Sequence, residues 1–147
     1  MIGLDTNVVL RYLLQDDPKQ TRQANEIIDQ RLSEREPGFL SLVCVLEIVW
    51  VLRSLMGLSA VGISAHLEHL LAANVLVVQN EQQVFEAAFA LKRGMGEFED
   101  ALIGAVNAWA GCGKTLTFDR RAGRLSGFEE VLEGGRGRHA GESPLRR

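Results

Sequence analysis

The sequence opens with MIGLDTNVVLRYLL (residues 1–14), in which a single carboxylate separates two apolar runs. Residues 1–4 predict a short buried strand and residues 8–14 predict a buried helix, because nearly every position in both runs is apolar. Asp5 lies at the junction, where its simplest role is to cap the helix. A strand that leads directly into a helix is the first half of a βα unit and predicts a parallel sheet.

The rest of the chain alternates short apolar runs with helical patterns. Helix starts are marked by Asp16-Asp17-Pro18, by Ser59 and by Asn80. The patterns predict strands at 75–78 and 115–118, further short strands at 39–42 and 128–132, and helices at 19–32, 42–55, 60–73, 81–93 and 98–110. This order predicts an α/β fold with a central, mainly parallel sheet covered by helices on both faces.

Composition limits the class of protein. The chain has 147 residues, of which 46% are hydrophobic and 24% charged, as expected for one ordinary globular domain. The formal net charge of -3 provides no overall basic field, so contact with a nucleic acid would depend on a local basic patch or on bound metal. The longest apolar run, residues 39–52, is shorter than the roughly 20 residues of a membrane span.

The two cysteines bear on the cellular compartment, and the last fifteen residues bear on where the folded domain ends. Cys44 and Cys112 have no CxxC partner and are predicted to be reduced, buried thiols, which together with the lack of a signal-peptide pattern favours the cytoplasm. Residues 133–147, EGGRGRHAGESPLRR, carry four Arg against two Glu and predict a disordered tail. Without this charge of +2, the predicted folded domain, residues 1–132, has a net charge of -5.

Two carboxylates follow predicted strands directly. Asp5 follows the first strand and Asp119 follows the strand at 115–118. Ligands of open parallel sheets bind outside the carboxyl ends of the strands. If both strands are parallel and central, the two acids emerge at the same edge.

Glu47 is the one charged side chain between residues 42 and 52. Burial of an unpaired carboxylate is costly, so the pattern predicts either a salt bridge, with Arg11 or Arg53 as partner, or a functional site. Trp50 and the later Trp109 stand at helical positions among apolar neighbours and are predicted to be core residues.

A fourth acid, Asp100, begins the last long helix in EFEDALIGAVNAW (residues 97–109). A dipole or capping role is the ordinary interpretation, and Glu97 and Glu99 compete for any special role. Close approach of this helix to the sheet is favoured by the small residues Ala101, Gly104 and Ala105. Such an approach would carry Asp100 inward. Carboxylates that converge repel each other unless they surround a cation, and hard oxygen ligands select Mg²⁺ or Mn²⁺.

After Asp119, the cluster Arg120, Arg121 and Arg124 fits either a solvated turn or a contact to phosphate.

These four segments together resemble a known family. LDTNVVLRYL, VLEIVWVL, FEDALIGA and LTFDRRA, in this order, are similar to PIN-domain ribonucleases and most similar to VapC-type toxins of toxin–antitoxin pairs. The resemblance covers about residues 1–132. It implies a three-layer α/β/α fold, an Mg²⁺- or Mn²⁺-dependent endoribonuclease, a cognate antitoxin that blocks the site, an RNA substrate and a homodimer.

The resemblance also implies roles for individual residues. Asp5 and Asp100 correspond to the firmest metal ligands, Glu47 completes the site, and Asp119 binds a second metal or acts through water. Thr117 corresponds to a hydroxyl that orients an acid or water, and Asn7 supports the first acid. Arg120 and Arg121 are the candidates for contact with RNA.

Two other functions stay open at this point. One is a catalytically silent PIN-like module that binds RNA or protein. The other is a phosphatase with Asp5 as nucleophile, although such an enzyme needs a second acid two residues later, where Asn7 stands. The segment GCGKT (residues 111–115) lacks the first glycine of a P-loop and follows a helix instead of a strand, so it does not indicate nucleotide binding.

Overall fold

The computed structural model describes residues 1–132 of the chain. The predicted disordered tail, residues 133–147, lies outside the described residues, so the division of the chain at residue 132 stays a prediction.

Residues 1–132 form five strands and six α-helices, with one pair of α-helices between each of the first four strands. The strands are β1 (Ile2–Gly3), β2 (Gly38–Leu40), β3 (Leu76–Val78), β4 (Thr115–Thr117) and β5 (Phe128–Glu130). The α-helices are α1 (Thr6–Leu14), α2 (Pro18–Asn25), α3 (Leu42–Ser54), α4 (Ala60–Ala72), α5 (Glu81–Lys92) and α6 (Phe98–Trp109). The predicted helix over 19–32 is thus α2 followed by a π-helical segment, Glu26–Arg31, and a short 3-10 helix spans Ala122–Arg124.

Side-chain capping marks the start of three of the six α-helices, at Asp17, Ser41 and Ser59. Asp17 accepts a hydrogen bond from the Gln20 amide, with Pro18 in the first turn, and Ser59 accepts one from the Gly62 amide. Asn80 does not cap as predicted: it has φ 51 and ψ 46, and its side chain accepts no hydrogen bond from the start of α5. Asparagine is one of the few residues that tolerate this left-handed conformation, so Asn80 supports the turn through its backbone.

Every strand pair is parallel, which confirms the predicted three-layer α/β/α fold. β1, β2 and β3 pair in that order, whereas β4 and β5 form a separate pair. The single central sheet of the prediction is therefore divided into two hydrogen-bonded groups in the described residues. β1 is only two residues long and pairs with β2, so it has few backbone groups for a second neighbour.

One face of α3 belongs to the hydrophobic core. Val45, Ile48, Val49 and Leu52 have at most 1% of their surface exposed and form one stripe of α3. Trp50 lies about 140° around the helix from Val45, and accordingly it is 51% exposed. Trp109, at the end of α6, is 72% exposed, so the prediction that both tryptophans are core residues is wrong.

Two further predictions concern the cysteine thiols and a membrane span. Cys44 and Cys112 are unpaired, as predicted, but Cys44 is only partly buried and Cys112 is exposed. None of the helices in the described part of the chain is long and apolar enough to cross a membrane.

Gly38 lies in the middle strand of the larger sheet and has no room for a side chain. A Cβ atom there would lie 2.8 Å from methyl carbons of both Leu4 and Leu32. We therefore expect Gly38→Ala to lower the free energy of unfolding by about 1–3 kcal/mol in urea denaturation, through overpacking. Gly3→Ala in the neighbouring strand, where a Cβ atom meets nothing within 4 Å, is the control and should change it by less than about 0.5 kcal/mol. Equal effects of the two substitutions would contradict this explanation.

Candidate functional site

Asp5 occupies the N-cap position of α1, but its carboxylate does not cap the helix. Its backbone is extended, with φ -82 and ψ 154, and its carbonyl oxygen accepts a hydrogen bond from the Val8 amide. The side chain makes no capping hydrogen bond and is exposed. The carboxylate of Asp5 therefore remains available to a ligand at the carboxyl end of β1.

Glu47 is exposed, which contradicts the prediction of a buried charge inside an apolar helix. It lies about 200° around α3 from the buried Val45, because an α-helix turns by about 100° per residue. It pairs with neither Arg11, which binds Asp16, nor Arg53. Both proposed salt bridges of Glu47 are therefore wrong.

A threonine connects Glu47 to the start of α1. The Thr6 hydroxyl donates a hydrogen bond of 2.8 Å to Oε2 of Glu47, and Thr6 itself is only 3% exposed. A hydrogen bond to a charged acceptor restricts the glutamate rotamer. Because Thr6 directly follows Asp5 in the chain, this hydrogen bond holds the Glu47 side chain of α3 at the start of α1.

Asp100 and Asp119 line the same cavity, which has a volume of about 230 Å³. Asp100 belongs to the first turn of α6, and Asp119 follows β4. The other charged side chains of the wall are Glu97, Arg121 and Arg124. The structure thus brings together two acids that are nineteen residues apart in the chain, as the sequence-based interpretation of Asp100 requires.

The electrostatic environment of Asp100 is unfavourable to its charged form. Partial burial raises its pKa above the ordinary value, and the negative charges of Asp119, Glu99 and Glu97 raise it further. Arg121 acts in the opposite direction but does not cancel these effects. A carboxyl group in this position is a good site for a cation, which would remove the repulsion.

Asp119 is held by its own turn. Its Oδ1 atom accepts hydrogen bonds from the backbone amides of Arg121, at 2.6 Å, and Ala122, at 3.2 Å. The Thr117 hydroxyl accepts a hydrogen bond of 3.0 Å from the Asp119 amide. Thr117 therefore orients the backbone of Asp119, and the role that the resemblance implies for its hydroxyl, orienting an acid or water, stays a prediction.

The other two acids of EFEDALIGAVNAW are bound to arginines. The guanidinium group of Arg53 binds both carboxylate oxygens of Glu99, at 3.0 and 2.5 Å, which lowers the pKa of Glu99. Glu97 lies 3.8 Å from Arg53 and 3.4 Å from Arg121. Among these three acids, Asp100 is the one that lines the cavity without an ion-pair partner in the described residues.

The remaining predicted site residues are exposed, and one of them, Arg121, also lines the cavity of Asp100 and Asp119. Arg120 and Arg121 are exposed in the turn after β4. Asn7 is exposed as well and lines a different cavity, beside Arg11 and Gln20 of the α1–α2 pair.

Phe118, which the sequence assigned to the end of a strand, is 86% exposed. β4 ends at Thr117, so Phe118 projects from the same edge as Asp119. An exposed aromatic ring beside an acidic site is suited to stack on a nucleic-acid base. In the sequence, the position of Phe118 between two predicted site residues, Thr117 and Asp119, was the signal that could have indicated this role.

The donor atoms fit a hard divalent cation, although the ligand set is not assembled. Residues 1–132 contain no group of three or more His, Cys, Asp or Glu side chains arranged to hold one ion. The cavity of Asp100 and Asp119 offers carboxylate oxygens, and Mg²⁺ is commonly bound by one or two carboxylates together with water and substrate phosphate. The two acids of the cavity therefore suffice to begin such a site.

Comparison with known proteins gives one finding. The family model described as PIN domain matches residues 2–127, which is most of the chain. No curated protein and no solved structure matches the chain.

The raised pKa of Asp100 makes a prediction about stability. The folded protein holds the proton of Asp100 more tightly than the unfolded chain, so stability decreases as the pH rises from the ordinary aspartate pKa through the raised value. At pH 7 in EDTA, Asp100→Asn should therefore have a higher Tm than the wild type, and the difference should vanish at about pH 3, where both forms are neutral. Glu34→Gln, which removes an exposed charge elsewhere, should leave Tm unchanged. A lower Tm of Asp100→Asn at pH 7 would disprove this account.

Proposed function

Because the chain belongs to the PIN domain family, whose members are generally nucleases, we propose that it is a metal-dependent endoribonuclease that hydrolyses phosphodiester bonds in RNA. PIN domains typically use divalent metals. The observation that carries the proposal is the shared cavity of Asp100 and Asp119, where partial burial, followed by repulsion from neighbouring acids, raises the pKa of Asp100. Mg²⁺ or Mn²⁺ at this cavity is the proposed cofactor.

In the proposed mechanism, Asp100 in the cavity wall would bind the cation together with Asp5, which lies outside that wall. Glu47, also outside the wall, would complete the site, held in place by its hydrogen bond from Thr6. Asp119, in the same wall as Asp100, would act through a second ion or through water, with its turn fixed by the Arg121 and Ala122 amides. When bound, a divalent cation supplies a nucleophilic water at neutral pH and stabilises charge on the phosphate.

RNA would approach this acidic region along the turn after β4. Arg120, Arg121 and Arg124 are exposed there and provide positive charge for phosphates. Phe118 provides an aromatic face for an unstacked base. This combination of guanidinium groups and an exposed ring compensates locally for the net negative charge of the domain.

We propose further that the protein acts in the cytoplasm as the toxin of a toxin–antitoxin pair and forms a homodimer. Contiguous apolar surface on a protein commonly marks a contact with a partner. Large hydrophobic side chains are exposed on α3, α6 and β4, namely Val43, Trp50, Ile103, Trp109 and Leu116. The antitoxin and the second copy are the proposed partners of these surfaces.

A second candidate function is a catalytically silent module that binds RNA or protein. It is favoured by one observation: no group of three or more potential ligands is assembled in residues 1–132. Titration with Mn²⁺ distinguishes the two functions, because a silent module would show no saturable binding that depends on Asp100.

The nuclease proposal predicts metal-dependent cleavage of RNA by the purified chain. Gel assays with Mg²⁺ or Mn²⁺ should show internal cuts that EDTA abolishes. Asp5→Asn and Asp100→Asn should each lower the rate at least about a hundredfold, since each removes a charged ligand of the catalytic ion. Glu34→Gln should retain the wild-type rate. Cleavage in EDTA, or full activity of both aspartate variants, would refute the proposal.

The position of Phe118 predicts a role in binding RNA. Phe118→Ala should raise the KM for RNA about tenfold, with little change in kcat, because base stacking on an aromatic side chain contributes about 1–3 kcal/mol. Phe118→Trp should preserve binding. Phe85→Ala on α5, which removes another half-exposed ring, is the control for general surface effects. A KM of Phe118→Ala equal to that of the wild type would exclude stacking at this position.

A further inference from the structure

Arg53 joins the end of α3 to the first turn of α6. Its guanidinium group forms two parallel hydrogen bonds with Glu99 and also lies 3.8 Å from Glu97. The side chains of Arg53 and Glu99 are 36% and 32% exposed, so this contact is partly shielded from solvent. Bidentate pairs of arginine and carboxylate are among the most specific ionic contacts in proteins.

The contact belongs to a chain of alternating charges. Glu99, Arg53, Glu97 and Arg121 follow one another, each within 4 Å of the next. Their charges cancel within the group. Asp100 and Asp119 thus remain as the acids of the cavity that have no ion-pair partner in the described residues.

The bidentate contact also decides where the neighbour of Asp100 points. Glu99 is adjacent to Asp100 in the first turn of α6 and is held by Arg53, and it is not part of the cavity wall. Without Arg53 as its partner, the Glu99 carboxylate would be free to move and could bind the same cation as Asp100.

From this geometry we propose that Arg53 is a positioning residue of the cation site: it holds Glu99 away from the cavity and neutralises Glu97, so that Asp100 is the acid of α6 that binds the ion. The inference rests on the proposed metal-dependent function. Arg53 touches neither the cavity nor the substrate in this account. It acts through the two glutamates.

The inference predicts opposite effects on metal affinity and on turnover. Arg53→Met adds uncompensated negative charge and releases Glu99. The affinity for Mn²⁺, measured by calorimetric titration, should rise about three- to tenfold, the change expected from a unit charge within a Debye length of a divalent ion. The kcat for RNA should fall about tenfold or more, because the released acid competes with Asp100 for the ion and repels the phosphate.

Two further variants form a double-mutant cycle with Arg53→Met. Glu99→Gln removes a negative charge and leaves Arg53 in place, so the affinity for Mn²⁺ should fall about three- to tenfold. The double variant Arg53→Met/Glu99→Gln restores the charge balance and should return both affinity and kcat to within about threefold of wild type. Lys92→Met, which breaks the ion pair of Lys92 with Glu68 between α5 and α4, is the matched control and should change neither quantity.

The outcomes separate a positioning role from a structural one. A purely structural role of Arg53 predicts that Arg53→Met weakens Mn²⁺ binding, lowers kcat and is not rescued by Glu99→Gln, and this result would overturn the inference. Lack of saturable Mn²⁺ binding by the wild type would overturn it as well. If Arg53→Met does not fold, Glu99→Gln decides, since unchanged Mn²⁺ affinity in that variant contradicts the charge balance. If the wild type binds Mn²⁺ with the predicted pattern but cuts no RNA, the inference holds and the nuclease proposal fails.

Discussion

Repulsion between carboxylates at the start of α6 and the end of β4 is the constraint on which the candidate site depends. Asp100 and Asp119 line one cavity, Glu99 shares the first turn of α6 with Asp100, and Glu97 is the N-cap residue of that helix. Partial burial raises the pKa of Asp100 and these acids raise it further, so the ionised form is disfavoured in the folded protein. A fold retains such an arrangement at a cost in stability, and a bound cation is the simplest way to remove that cost.

The scaffold holds these charges together by close packing of small residues. Gly104 lets α6 approach β5, because a Cβ atom there would lie 2.5 Å from the ring of Phe128. On the other wall, the turn after β4 fixes Asp119 through two backbone amides. The positions of α6 and of the turn after β4 therefore keep Asp100 and Asp119 in the wall of one cavity. Rigid placement of this kind is what a metal site requires before its ion arrives.

Much of this fold follows from sequence pattern, because strand and helix periodicities are local. Asp5 and Asp119 were found at strand ends for that reason. Glu47 and Trp50 were misjudged, since an apolar helix gives little sign of which stripe it buries and both lie off the stripe of Val45. The contact of Arg53 with Glu99 was also missed. It joins residues forty-six positions apart, and no local pattern indicates which arginine reaches which acid.

The central claim is that the cavity of Asp100 and Asp119 is a divalent cation site, and the position of the ion tests it most directly. Crystals of the wild-type protein grown with Mn²⁺ would locate the ion by anomalous scattering. The account predicts a peak in this cavity, in contact with the carboxylate of Asp100, and its loss in crystals of Asp100→Asn. An ordered Mn²⁺ ion elsewhere on the domain, with this cavity empty, would contradict it.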